Sequence, residues 1–196
     1  LIPLVLLNGV SGIAVGWSTE ILPRNIKKLI AATQAALEGK EPKGLEPSYD
    51  YLNVGVKQLE DNVWEISGSA KVVDTSTIQI TELPPGVTLE AFKKRLNKME
   101  EEDKIHSYTD KSTSEINILV KFKRGTVSGW TEDKAVDYFK MRQRVTERIV
   151  VIDWNGQSIR QYDSAATVVK EFVQWRLGWY TKRYQKMLDD DSYELK

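Results

Sequence analysis

Asn8-Gly9-Val10-Ser11-Gly12-Ile13-Ala14-Val15-Gly16-Trp17-Ser18-Thr19, closed by Leu22-Pro23-Arg24-Asn25, is the stretch on which the reading of this chain turns. Its glycines at 9, 12 and 16 allow backbone dihedrals closed to other residues and let the chain run close to a second surface. Ile13 stands between them with few apolar neighbours able to bury it locally. A stiff, glycine-framed loop presenting one aliphatic side chain is the kind of device that wedges between DNA base pairs. The alternative is that Ile13 plugs the core of its own domain, the ordinary place for an isoleucine.

The 196 residues suffice for one substantial core, or for one domain with an extension. Hydrophobic residues make up 41% and charged residues 29%, the balance of a globular protein. Lys plus Arg equals Asp plus Glu at 28 each, which argues against a free-standing protein that coats DNA by neutralising phosphate. It leaves open a module held on DNA by neighbouring domains. The absence of cysteine excludes a disulfide framework and a cysteine-based zinc site, and is consistent with the cytoplasm. No apolar run approaches the roughly 18–20 residues that span a bilayer, so no membrane partner is expected. The opening Leu1-Ile2-Pro3-Leu4-Val5-Leu6-Leu7 is too short for that and lacks a basic flank; it reads as an apolar run packed against a preceding segment of a longer protein.

Beyond the opening, Ile26, Leu29, Ile30 and Leu37 recur at helical spacing over residues 26–38, with Thr33 a polar interruption and Gly39 a stop. Residues 40–48 read as a loop. Val63–Val73 and Thr77–Thr81 predict strands, ended by Leu83-Pro84-Pro85-Gly86. Thr88 caps an amphipathic helix with Leu89, Phe92, Leu96 and Met99 on one face. A strand pair follows at Ile105–Tyr108 and Ile116–Phe122, the second alternating cleanly. Thr131 caps a short helix to about Met141, and Ile149–Asp153 is a short buried strand turned by Asn155-Gly156. Ser164 caps a long helix over residues 165–188. There Val173, Leu177, Tyr180, Tyr184 and Met187 step 4-3-4-3, a heptad seam too short to stand alone and in need of a partner.

The opening pattern, Asn-Gly-x-x-Gly-Ile-x-x-Gly-Trp-Ser-Thr with Pro-x-Asn after it, resembles the segment that follows the winged helix in the DNA breakage–reunion subunit of type IIA topoisomerases. Three more motifs match in the family's order. Ile78-Gln79-Ile80-Thr81-Glu82-Leu83-Pro84-Pro85-Gly86 is similar to its Ile-x-Ile-Thr-Glu-Leu-Pro segment. Val151-Ile152-Asp153 with Asn155-Gly156 and Gln161-Tyr162-Asp163-Ser164 is similar to its Phe-Asp…Gly…Tyr-Asp-Ser/Thr hairpin. Lys170-Glu171-Phe172-Val173 with Arg176-Leu177, Tyr180 and Lys182-Arg183 resembles the entry to its coiled-coil arm. The Trp-Ser-Thr form is nearer the eukaryotic and T-even-type phage enzymes than gyrase, and the four motifs together most resemble the medium subunit of the phage enzymes.

The resemblance implies an α+β tower (shoulder) domain, with antiparallel sheet and packed helices, followed by the start of a long coiled-coil helix. Residues 1–25 would be the DNA-facing glycine-rich segment, 26–163 the tower and 164–196 the root of the arm. It implies a fragment of the DNA gate of an ATP-dependent type IIA topoisomerase, one that binds and bends the gate duplex for double-strand passage. Its partners would be double-stranded DNA, a second copy of the same chain, and an ATPase/Toprim subunit or domain. The full enzyme would use Mg2+ and ATP; this segment would hold neither, and its compartment would be the cytoplasm, a host's if phage-encoded. The family's catalytic tyrosine lies in the winged helix, so none of the eight tyrosines here is expected to be the nucleophile, and the chain alone should be inactive.

In the family the isoleucine matching Ile13 inserts into a base step. Ser11, Gly12, Trp17, Ser18 and Thr19 are read as DNA contacts around it, through hydroxyls and backbone amides, with Trp17 also packing the loop. Arg24, Lys27 and Lys28 stand at a helix start, the unfavourable end for cations, which a phosphate would rationalise; a solvated basic face is the alternative. Two further basic clusters, Lys121, Lys123 and Arg124, then Arg142, Arg144 and Arg148, allow flanking phosphate contacts or scattered surface charge. His106 is the only histidine, and Asp189-Asp190-Asp191 lacks a converging second element, so no metal site is expected. The rival class is a structural or assembly module that makes subunit contacts without touching DNA, for which zero net charge speaks. A stand-alone enzyme is disfavoured because no nucleophile, base and metal set can be assembled.

Overall fold

The computed structural model describes residues 1–194. Along the chain run α1 (Leu4–Asn8), β1 (Val10–Ala14), β2 (Trp17–Ile21), α2 (Ile26–Leu37), β3 (Gly55–Glu60), β4 (Val63–Ser67) and β5 (Ser69–Val72). Next come β6 (Thr77–Glu82), α3 (Leu89–Glu101), β7 (Ser107–Asp110), β8 (Ile118–Lys121) and α4 (Glu132–Tyr138). The last elements are β9 (Arg142–Thr146), β10 (Ile149–Ile152), β11 (Ile159–Tyr162) and α5 (Ala165–Glu194). The fold is α+β with antiparallel pairing throughout and a long final helix, as expected. No helix among the described residues is long and apolar enough to cross a membrane.

Packing divides the chain into two compact units, Tyr49–Thr146 and the residues on either side of that segment. This division cuts across the one read from the sequence by role, because the second unit is inserted between parts of the first that pack on each other.

In the inserted unit, β3-β4-β9 form one sheet and β5-β6-β8-β7 another. Alternation puts Ile78 and Ile80 of β6 and Ile118 and Val120 of β8 on the buried face, where Phe92 and Leu96 of α3 and Phe139 after α4 close the core. The Thr88 and Thr131 hydroxyls accept the backbone N–H of Ala91 and Lys134, both at 3.2 Å, so both expected caps are in place. The single strand expected over residues 63–73 is two strands in different sheets. It breaks at Gly68, where a Cβ would lie 2.6 Å from the Glu82 carbonyl oxygen. The sequence does not predict β3 and β9, because Lys57, Glu60, Arg142 and Arg144 hide their alternation.

The unit formed by the two ends of the chain contains α1, α2 and α5 with the hairpins β1–β2 and β10–β11. Leu6, Ile21, Leu29, Ile149, Tyr162, Val168 and Val169 make its core. The Asn25 side chain accepts the N–H groups of Lys27 and Lys28 at 3.0 and 3.2 Å and so starts α2. The expected inward stripe of α2 is corrected. Ile26, Ile30 and Leu37 are exposed, and Leu29, Ala32 and Thr33 face inward against α5, where small side chains permit close approach. Thr33 is buried because its hydroxyl donates to the Leu29 carbonyl at 2.8 Å. Ser164 caps α5, its hydroxyl accepting the Thr167 N–H at 3.2 Å. Trp154, in the β10–β11 turn, stacks on Trp175 of α5 at 5.2 Å. Along the α5 seam Val173 is buried, while Leu177, Tyr184 and Met187 are exposed.

Candidate nucleic-acid interface

The opening motif folds as a hairpin. Val10 pairs with Ile21, Ser11 with Glu20, Gly12 with Thr19, Ile13 with Ser18 and Ala14 with Trp17. Val15 and Gly16 make the two-residue turn, and Gly16 takes φ +79°, the left-handed value that favours glycine. Gly9 roots the hairpin at φ +68°; a Cβ there would lie 2.6 Å from the Ile21 carbonyl oxygen. Gly12 has no such constraint and is an ordinary strand residue opposite Thr19. Two of the three glycines therefore shape the loop.

Because side chains alternate along a strand, Ser11, Ile13, Ser18 and Glu20 share one face of the ribbon. Val10, Gly12, Trp17, Thr19 and Ile21 share the other, which leads through buried Ile21 into the core. Ile13 is 94% exposed, so it does not plug its own core. Val15, at the apex, is fully exposed as well. Trp17 is about half exposed.

The base of this ribbon is held by residues far away in sequence. Glu20 and Arg148 exchange backbone hydrogen bonds, N–H to carbonyl, at 2.9 and 2.8 Å. The Thr19 hydroxyl donates to the Arg148 carbonyl at 3.2 Å and accepts the Val150 N–H at 3.4 Å, so Thr19 is engaged with the body of the unit. Ser11 donates its hydroxyl to the Glu20 carboxylate at 2.6 Å. Ser18 accepts Nη1 of Arg148 at 2.8 Å. Charge on the Ile13 face is thus mixed: the Glu20 carboxylate lies nearer the base, and the Arg148 guanidinium reaches the Ile13–Ser18 pair.

Arg24 is not available to phosphate, a correction to its expected role. Its side chain is 2% exposed and that of its partner Glu147 1%. Nη2 donates to Glu147 Oε2 at 2.7 Å, Nη1 pairs with Oε1, and Nε donates to the Leu45 carbonyl at 2.8 Å. Glu147 Oε1 also accepts the Leu22 N–H at 2.9 Å. A buried arginine at a helix start is tolerated because a carboxylate, rather than a ligand, neutralises it. Lys27 and Lys28 are exposed, Lys28 lying 3.4 Å from Glu46.

The other basic clusters separate. In the inserted unit, Arg142 is held by Glu65, Asp133 and Asp137, which raise its pKa, and Arg144 pairs with Glu60 at 3.0 Å. Lys123 pairs with Asp103, while Lys121 and Arg124 are exposed. His106 is exposed. Gln185 and Lys186 take up Asp189 and Asp190 on α5. No group of three or more His, Cys, Asp or Glu that could hold a metal ion occurs among the described residues. Of the residues at the hairpin, the sequence did not single out Val15, and it named Arg148 only within a basic cluster open to phosphate contact or to scattered surface charge. Val15 carried a signal in its place before Gly16. The link from Arg148 to Ser18 spans 130 residues and carried none.

A family profile built on the A subunits of DNA gyrase and topoisomerase IV matches residues 1–196. The chain is 29% identical over 201 residues to DNA topoisomerase 2-alpha of Gallus gallus, covering 96% of this chain and 13% of that protein. It is 26% identical over 210 residues to DNA topoisomerase 2-beta of Mus musculus, covering all of this chain and 13% of the relative. The fold is that of the Plasmodium falciparum topoisomerase II DNA-binding, cleavage and re-ligation domain, with a TM-score of 0.88 at 24% identity, over 96% of this chain and 26% of that one. The chain thus spans about an eighth of the length of these curated relatives. With the glycine-rooted hairpin, the Thr-Glu-Leu-Pro strand end and the capped final helix all in place along one continuous match, the chain belongs to the type IIA topoisomerase family that comprises the A subunits of DNA gyrase and topoisomerase IV.

Proposed function

We propose that this chain is the part of a type IIA topoisomerase DNA gate that binds and bends the duplex to be cut. The observation that carries the reading is Ile13, 94% exposed on a hairpin whose root is set by a glycine with no room for a side chain and by a buried ion pair. Exposing an isoleucine costs hydrophobic stabilisation, which a base step receiving it would return. Unstacking a step costs on the order of a few kcal/mol, offset by the protein surface that bent DNA can touch. Ser11, Gly12, Trp17 and Ser18 contact the flanking backbone by edges, hydroxyls and amides, Thr19 uses its hydroxyl to brace the hairpin instead, and Lys27 and Lys28 act as phosphate cations.

The whole protein works as a dimer of this subunit with an ATPase/Toprim part, uses ATP and Mg2+ there, and passes one duplex through another. This chain holds and bends; none of its tyrosines attacks DNA, and alone it does not cleave. Its proposed compartment is the cytoplasm, a host's under the T-even-type affiliation that the four motifs together suggest. The reading is tested by end-labelled duplex FRET on the full-length protein with its partners. Ile13→Ala is expected to lower bending with the fold intact; unchanged bending would leave Ile13 a passive surface residue.

The second reading, an assembly module that touches no DNA, is favoured by the exposed α5 seam of Leu177, Tyr184 and Met187 and by the mixed charge beside Ile13. It is the outcome if neither wild type nor Ile13→Ala binds or bends DNA.

A further inference from the structure

We propose that Arg148 is the phosphate anchor of the wedge hairpin, gripping the sugar-phosphate backbone beside the base step that Ile13 enters. The proposal rests on the reading of the hairpin as a DNA wedge. Four observations carry it. Arg148 is exposed, and its guanidinium has no carboxylate partner among the described residues. This sets it apart from Arg24, Arg142, Arg144 and Arg160, each of which is paired with an acid. Among the described residues its one side-chain bond is to a neutral acceptor, the Ser18 hydroxyl, at 2.8 Å. That leaves the remaining N–H donors of its planar fork for an anion, and a fork of this kind matches the oxygens of a phosphate.

Ser18 is the cross-strand partner of Ile13 and points to the same face. The hydroxyl therefore steers the cation to the side on which the aliphatic wedge projects. The carboxylate on that face, Glu20, accepts the Ser11 hydroxyl one pair nearer the base and makes no ion pair with Arg148 among the described residues.

The backbone of Arg148 is immobilised independently of its side chain. It exchanges two hydrogen bonds with Glu20, and the preceding residue is the buried Glu147 that holds Arg24 and the Leu22 N–H. With the backbone fixed and Nη1 held by Ser18, the guanidinium is partly oriented before a phosphate arrives, which lowers the ordering cost of the contact. Removing the side chain should leave the hairpin folded for the same reason.

The test measures duplex binding by the full-length protein over a salt series, with FRET bending at saturation, for wild type, Arg148→Ala, Arg148→Lys, Ser18→Ala and Ile13→Ala. Each neutralised phosphate contributes about 0.9 to the slope of log K against log salt. Arg148→Ala is expected to lower that slope by about 0.9 for every engaged copy, and Arg148→Lys to restore it. Ser18→Ala keeps the wild-type slope, since the cation remains. Ile13→Ala loses bending and keeps the slope.

A wild-type slope for Arg148→Ala overturns the anchor, and matching behaviour of Arg148→Ala and Ser18→Ala assigns the pair to bracing the hairpin instead. Either result leaves the wedge standing if Ile13→Ala still loses bending. A lowered slope with bending indifferent to Ile13 keeps the anchor and removes the wedge. Absence of DNA binding by every form overturns both.

Discussion

The β1–β2 hairpin and the four-stranded sheet of the inserted unit are both antiparallel, and they hold their isoleucines in opposite ways. In the sheet, Ile78, Ile80 and Ile118 are fully buried under α3 and the aromatic cluster around Phe122, Tyr138 and Phe139. The sheet holds together because its apolar faces leave water. The hairpin reaches the core only through Ile21 at the end of β2, and β1 is exposed at every residue. Beyond that anchor it is held by polar clamps, the Glu20–Arg148 backbone pair, the Thr19 hydroxyl and the Arg24–Glu147 ion pair beneath. A wedge must keep its apolar side chain in water until a ligand arrives, so its support has to come from hydrogen bonds and charge.

That contrast is broken most severely at the clamp. Glu147→Gln, which leaves the Arg24 guanidinium buried without its counter-charge, is expected to destabilise its unit by about 3–5 kcal/mol in urea unfolding. The double variant Arg24→Met, Glu147→Leu should recover only the part due to the uncompensated charge, since it leaves the Leu22 N–H and the Leu45 carbonyl without these partners. In the sheet, Ile80→Ala is expected to cost about 2–5 kcal/mol through lost burial and the cavity left behind, read as a lower unfolding midpoint. Equal tolerance of Glu147→Gln and a surface change such as Glu101→Gln would remove the polar clamp from the account.

A smaller effect comes from Asp110, at the edge of the same sheet. The Ser112 hydroxyl and N–H, and then the Lys93 ammonium at 2.9 Å, draw its pKa down from 3.8 to about 2. Because the folded value lies below the unfolded one, its contribution is full above the ordinary value and is lost as pH falls toward about 2. Asp110→Asn should therefore flatten the acid limb of stability over that window, measured by unfolding across a pH series. The smallest change expected is Ile13→Ala, within about 0.5 kcal/mol in stability, because the residue is exposed. A large loss there would return Ile13 to a packing role and erase the contrast between the two regions.

Much of the fold was legible because its elements carry a local period. The caps at Asn25, Thr88, Thr131 and Ser164, the α3 face and the alternation of β8 all follow from residues a few positions apart. β3 and β9 were not legible, since charged side chains occupy their exposed positions and only pairing with β4 makes them strands. The α2 stripe points to the wrong face because isoleucine and leucine outweigh alanine in any hydrophobicity pattern. Which face turns inward depends on what lies opposite, and there the small residues fit.

The candidate site divides the same way. From the sequence alone came the α+β class, the family and the prominence of Ile13 between glycines. Tertiary structure decided that Ile13 stands in solvent, that Arg24 is sealed into a salt bridge, and that Arg148, without a carboxylate partner among the described residues, reaches the Ile13 face. The partners concerned are 123 residues apart for Arg24 and Glu147, and 130 for Arg148 and Ser18. Two arginines of identical chemistry acquire opposite roles because a charge is quenched or left free by what the folded chain places beside it, and no local pattern encodes that neighbour.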